Sequence, residues 1–277
     1  MNTFDLSGKI SLITGAAGGI GSVLAHGLAE AGSEVALMDR PGSDRLSALA
    51  EEIRGRGRQV WTFEQDLTHL EDLMRFVDSV WTTIGRIDVL VNCAAIAHLA
   101  HFNEVGLEAW NATMAINLTA PFLLSQRAAE HMIHNRVHGR IIMVSSKNGI
   151  VSEAGLVAYN CSKAGLEQLT QSLALELGGH GITVNALTPG MIETSIAADF
   201  DLDWGAFESY YREHIPLEHR FGSPTELVGA LLLLASDAGS YITGQHIVVD
   251  GGVLASQLPR LQFMTPYVDA LTQCGEL

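Results

Sequence analysis

"KISLITGAAGGIG", residues 9 to 21, decides the fold. The run "KISLIT" is short, apolar and β-branched, as in a strand buried on both faces. The glycines that follow open onto "IGSVLAHGLAEAG", whose apolar spacing is helical. A glycine-rich turn from strand to helix aims backbone amides and the positive helix end at one space, where a phosphate is stabilised. Gly15 suits the tight turn, Gly19 admits close approach of a pyrophosphate, and Gly21 lets helix and strand pack. Gly18 and Ile20 complete the loop.

Outward from this point the pattern repeats. Runs beginning at Glu34, Val60, Ile87, Arg140, Ile182 and His246 read as further strands. Between most of them lie helical stretches such as "EDLMRFVDSVWTTIG", one long helix "WNATMAINLTAPFLLSQRAAEHMI", and "CSKAGLEQLTQSLALEL". Strand and helix in alternation imply parallel pairing, because parallel strands need long crossovers. The expectation is an α/β fold: a single doubly wound domain over 1–255, about seven parallel strands, helices on both faces, and ligands at the strands' carboxyl ends. Residues 191–221 break the rhythm as an irregular substrate loop, and 256–277 form a tail expected to contact a second subunit.

The second strand ends at Asp39, 18 residues after Gly21. A carboxylate there accepts hydrogen bonds from adenine-ribose hydroxyls and repels a 2′-phosphate, so the expected cofactor is NAD. Arg40 is the one basic neighbour able to receive that phosphate.

The chain has 277 residues, 47% hydrophobic and 17% charged, which suits a well-buried globule. Its formal net charge of -15 excludes a nucleic-acid partner and disfavours anionic lipid or acidic carrier proteins. Cys93, Cys161 and Cys274 have no metal spacing, which points to no metal and a reducing, cytoplasmic setting. No leader-like start or long apolar span is visible, so no membrane partner is expected.

"YNCSK", residues 159 to 163, puts Tyr159 and Lys163 one helical turn apart on a shared face. A phenol is a poor base near neutrality, but a nearby ammonium favours the phenolate. Ser146 lies 13 residues before Tyr159 at the end of the strand from Arg140, close enough for two hydroxyls to meet one substrate oxygen. Asn117 sits in the preceding long helix.

Taken together, "TGAAGGIG", "QDLT", "NCAA", "INLTAPF", "VSS", "YNCSK", "TPGMIET" and "ITGQHIVVDGG" resemble the short-chain dehydrogenase/reductase family over about residues 7 to 252. The resemblance implies Tyr159 as acid/base, Lys163 on the nicotinamide ribose, Ser146 on the substrate oxygen and Asn117 holding a relay water. It further implies Asp66 and Leu67 near the adenine, Asn92 and Ala94 beside the cofactor, and Pro189, Ile192 and Thr194 at the carboxamide. The family's usual "NNAG" is "NCAA" here, with Cys93 read as a packing substitution and Ala95 replacing glycine. Homodimers or homotetramers built on the helices around 108–134 and 155–178 are implied as well.

The expected reaction moves a hydride between a secondary alcohol, or a sugar hemiacetal, and the nicotinamide. His98, His101, Lys147, Asn148 and Glu153 follow strand ends and are the substrate candidates, suggesting a hydroxyl-rich or carboxylate-bearing molecule: a sugar, sugar acid or polyol. A 3-hydroxy acid or carrier-bound 3-ketoacyl substrate is the alternative, with a non-catalytic dinucleotide-binding scaffold as the reading of another class.

Overall fold

The structure, a computed structural model, describes residues 3–194, 196, 200 and 202–257. The Val- and Ile-rich runs form β1 (Ile10–Thr14), β2 (Glu34–Asp39), β3 (Val60–Glu64), β4 (Val89–Asn92), β5 (Arg140–Val144), β6 (Thr183–Pro189) and β7 (His246–Val249). They make one sheet in the order β3-β2-β1-β4-β5-β6-β7, parallel throughout. The order reverses between β1 and β4, which opens a crevice at the carboxyl ends of those two strands. Register keeps the ends level, with Thr14 opposite both Met38 and Asn92.

Alternation along each strand divides the core into two layers. Leu12, Leu90, Ile141, Met143, Val184 and Ala186 pack under α3 (Leu73–Ile84), α5 (Ala120–His134) and α6 (Val157–Leu177). Ile13, Val91, Ile142, Val144 and Leu187 face α1 (Gly19–Glu30), α2 (Asp44–Gly55) and α8 (Val228–Ala235). Both faces are therefore buried, and this is why the strands lack a polar stripe.

Two local expectations are corrected. The single long helix is α4 (Leu107–Met114), a π-helical turn over Ala115–Thr119, and then α5. Pro121 lies in the first turn of α5 and has no amide hydrogen to return to the Asn117 carbonyl, so the ordinary helical ladder is interrupted there. The expected irregular stretch at 191–221 contains α7 (Trp204–His214), capped by the Asp203 side chain on the Ala206 amide. The tail expectation falls on 256–277, of which 258–277 lie outside the described residues.

The turn after β1 has almost no spare room. Gly15 has φ +66°, and a Cβ there would sit 2.7 Å from the Ala94 Cα. A Cβ on Gly21 would sit 2.1 Å from the Gly15 carbonyl oxygen. Gly21→Ala must move backbone and should cost about 2–3 kcal/mol, lowering Tm by about 5–10 °C in a chain of this size. Gly55→Ala, with nothing within 4 Å of the new methyl, should leave Tm unchanged or slightly raised in the same thermal melt.

Candidate active site

The crevice at the strand ends is a cleft of about 890 Å³, large enough for a cofactor and small substrate together. Gly15, Gly18, Gly19, Ile20 and Gly21 line one end, with Asp39, Asp66 and Leu67. The Asp39 carboxylate accepts from the Ala17 amide (2.8 Å) and the Arg40 amide (2.8 Å), which ties the end of β2 to the glycine loop. Asp66 accepts from the Thr68 amide and hydroxyl at 2.8 and 2.7 Å, and these bonds lower its pKa. Arg40, Ser43 and Arg45 line the same end; of these, sequence reasoning considered Arg40 alone. Thr14, also overlooked, accepts from the Cys93 and Ala94 amides at 3.1 and 3.2 Å, fixing the exit of β4 beside that of β1.

Ala94, Pro189, Ile192 and Thr194 line the cleft further along. Asn92 does not. Its side chain points into the core and donates to the Ser125 hydroxyl (3.1 Å), because strand alternation turns this last β4 residue away from the cleft. Its effect on any ligand runs through the backbone it anchors. Burial pushes the Cys93 thiol up to about 12, consistent with a packing role.

At the other end Ser146, Tyr159 and Lys163 meet. The Ser146 hydroxyl accepts from the Asn148 amide (3.2 Å) and lies near enough to the Tyr159 phenol to favour its ionised form. The Lys163 Nζ is buried, donates to the Val144 carbonyl (2.9 Å) and lies 5.6 Å from the centroid of the Tyr159 ring. Asn117 is fully buried, and its side chain clamps three segments. Its Oδ1 accepts from the Ile96 amide and its Nδ2 donates to the Ile96 carbonyl, both at 2.9 Å, while Nδ2 also donates to Ser162 at 3.1 Å. The side chain is thereby committed to joining the segment after β4 to α6.

Of the substrate candidates, Lys147, Asn148 and Glu153 line the cleft and His98 does not. In the segment after β4, Leu99 lines the cleft and His98 is exposed to solvent. His101 is exposed and pairs with Asn103. Lys147 is buried, and its Nζ donates to Asn148 Oδ1 (3.0 Å), Glu153 Oε2 (3.0 Å) and the Tyr211 hydroxyl (3.2 Å). Tyr211 comes from α7 together with Trp204 and Phe207, which also line the cleft. None of these aromatics was assigned a contact from sequence beyond the general region after Met191. Among the described residues no cluster of three or more His, Cys, Asp or Glu is placed to hold a metal, and no helix is long and apolar enough to cross a membrane.

A family profile described as enoyl-(acyl carrier protein) reductase matches residues 15–254. The 3-oxoacyl-[acyl-carrier-protein] reductase FabG of Aquifex aeolicus is 39% identical over 90% of this chain and 98% of its own. The 5-keto-D-gluconate 5-reductase of Escherichia coli K12 is 34% identical over 91% and 98%. A crystal structure of gluconate 5-dehydrogenase from Burkholderia cenocepacia, in complex with NADP and tartrate, superposes with a TM-score of 0.86 at 33% identity, covering 92% of this chain and 98% of that one. The chain belongs to the short-chain dehydrogenase/reductase family. It is an oxidoreductase of CH–OH groups that uses a nicotinamide dinucleotide.

Without a ligand in the cleft of this short-chain dehydrogenase/reductase, burial pushes Tyr159 up to about 12, and Ser146 only partly opposes it. Burial also brings Lys163 down to about 8, weakening the ammonium expected to favour the phenolate. A proton acceptor must first be deprotonated, so with Tyr159 in that role alcohol oxidation should rise steadily from pH 7 to 9. Ketone reduction, which needs the protonated phenol, should stay level or fall over the same range. Initial rates at saturating cofactor in both directions test this, and a plateau in oxidation below pH 8 would contradict it.

Proposed function

We propose that the protein is an NAD-dependent dehydrogenase of a small polar sugar, sugar acid or polyol, working on a secondary alcohol or ring hemiacetal in a cytoplasmic setting. The observation that carries this reading is the meeting of Ser146, Tyr159 and Lys163 in the cleft that the glycine loop also lines. Two of the similar proteins, the ketogluconate reductase and the gluconate dehydrogenase, act on sugar acids according to their names.

The glycine loop and α1 would hold the pyrophosphate, Asp39 the adenine ribose, and Pro189, Ile192 and Thr194 the carboxamide. When bound, the oxidised nicotinamide supplies a hydride acceptor and a positive charge. Ser146 orients the substrate oxygen, and Tyr159 takes the hydroxyl proton as the carbinol C–H pair departs and C=O forms. Lys163, one turn along α6, would hold the nicotinamide ribose. The Asn117 clamp sets the position of the segment carrying Ile96.

NAD is preferred in this proposal because the Asp39 carboxylate occupies the place a 2′-phosphate needs. Arg40 and Arg45 line the same end and would attract that phosphate, so NADP is the competing reading. The FabG relative favours a carrier-bound 3-ketoacyl substrate as a second reading. Against it stands the net charge of -15, which repels an acidic carrier. A homodimer or homotetramer is part of the proposal, supported by Leu107 and Leu175, which are 73% and 86% exposed on α4 and α6.

Tyr159→Phe should lower kcat at least about 100-fold while the dissociation constant for NAD, from fluorescence titration, changes little; near-normal turnover would remove Tyr159 from the chemistry. Asp39→Ser should raise the NADP:NAD ratio of kcat/KM at least tenfold. A wild type already faster with NADP would overturn the cofactor preference.

A further inference from the structure

Resting on the proposed dehydrogenase reading, the cleft narrows the substrate class. We infer that the substrate is uncharged, a neutral sugar or polyol, and that the Lys147–Glu153 pair rejects sugar acids. Among the described residues that line the cleft the cations are Arg40, Arg45, Lys147 and Lys163. The arginines flank Asp39 at the adenosine end, and Lys163 lies behind the Tyr159 ring with a bond to the Val144 carbonyl. That leaves Lys147 as the cation for a substrate carboxylate.

Lys147 is already spent. An ammonium has three donors, and the three acceptors around this one are Asn148, Glu153 and Tyr211. Its neighbours are engaged as well. Asn148 Nδ2 donates to Asn160 Oδ1 (2.9 Å) and Glu153 Oε2 (3.3 Å), and the Tyr211 hydroxyl accepts from Lys147. A substrate carboxylate accepts hydrogen bonds and cannot donate them. Reaching Lys147, it would have to displace one of these partners and lie against the Glu153 carboxylate. Glu193 lines the cleft as a second negative group, and residues 195–203 contain no Lys, Arg or His.

A hydroxyl group meets the opposite situation. Two carboxylate oxygens offer about four acceptor positions, and two donors, from Lys147 and Asn148, both reach Glu153 Oε2, on a side chain that is 22% exposed. Acceptor capacity remains at the carboxylate and suits a substrate hydroxyl as donor. Trp204, Phe207 and Phe221 give the cleft an aromatic wall suited to the C–H face of a sugar or polyol chain.

The test is a set of matched pairs, such as D-glucitol with D-gluconate, galactitol with galactonate, and erythritol with erythronate, followed by NADH or NADPH formation. The neutral member should have a kcat/KM at least tenfold above its acid partner in each pair turned over. An acid that exceeds its neutral partner overturns this inference and leaves the dehydrogenase reading standing. Dinucleotide reduction with no member of any pair refutes the proposed substrate range and this inference with it. Glu153→Gln supplies a second measurement: with the carboxylate gone, the acid-to-neutral ratio should rise at least tenfold, mainly through KM of the acid. An unchanged ratio in a variant of normal Tm also overturns the inference, since a purely structural pair would not alter discrimination.

Discussion

Where β1 and β4 separate, the backbone at Gly15 comes so near Ala94 that a methyl group would fall 2.7 Å from the neighbouring Cα. That close approach organises the molecule. It lets the chain leave β1 in a left-handed turn, sends α1 back along the sheet, and brings the β4 exit under the Thr14 hydroxyl. The Asp39 carboxylate bonds the Ala17 amide from the next strand. The phosphate-binding end is therefore made mostly of backbone, positioned by the sheet, and tolerates little change at its glycines.

The end of the cleft proposed to hold the chemistry is built on a different principle. Ser146, Tyr159 and Lys163 are side chains on one strand end and one helix, and their burial carries an electrostatic cost. Desolvation raises the phenol and lowers the amine, so each is driven toward its neutral form. An ammonium of weakened basicity beside a phenol of weakened acidity is a poor proton-transfer pair alone. Extra positive charge arriving in the same low-dielectric space would favour the phenolate, and ribose hydroxyls accepting from Lys163 would favour its ammonium. Proton transfer is thereby tied to an occupied cleft, and the protein on its own has little tendency toward such chemistry.

Much of the fold was legible because buried parallel strands are written as continuous Val- and Ile-rich runs, and all seven expected runs became strands. The shared face of Tyr159 and Lys163 was legible too, since a spacing of four on a helix fixes it. Directions were not. Asn92 points into the core because it obeys the alternation of its strand, and His98 is left in solvent by the irregular segment after β4; a residue's type reveals neither. The π-helical turn before Pro121 breaks what reads as one uniform helix. Most of all, "SSKNG" shows a lysine near the active serine but not that Tyr211, 64 positions later, takes one of its three hydrogen bonds. Saturation of a polar group is a property of three-dimensional neighbours, so a sequence displays its donors without showing which are free.

This division has a consequence for how substrate choice is held in the fold. The wall of the cleft away from the glycine loop draws on α7 and on the segment from Lys147 to Leu156, both at the rim and outside the sheet. Tyr211 reaches Lys147 from α7, so the wall and the loop after β5 are joined by a side-chain hydrogen bond. Substitutions there can change charge and shape while leaving the Gly15 turn and the Tyr159–Lys163 spacing untouched. Proteins about a third identical to this chain, with names that refer to acyl chains or to sugar acids, fit such an arrangement. The family fold constrains the nicotinamide end tightly, whereas in the proposed reading the partner in the reaction is set by a few polar groups at the rim.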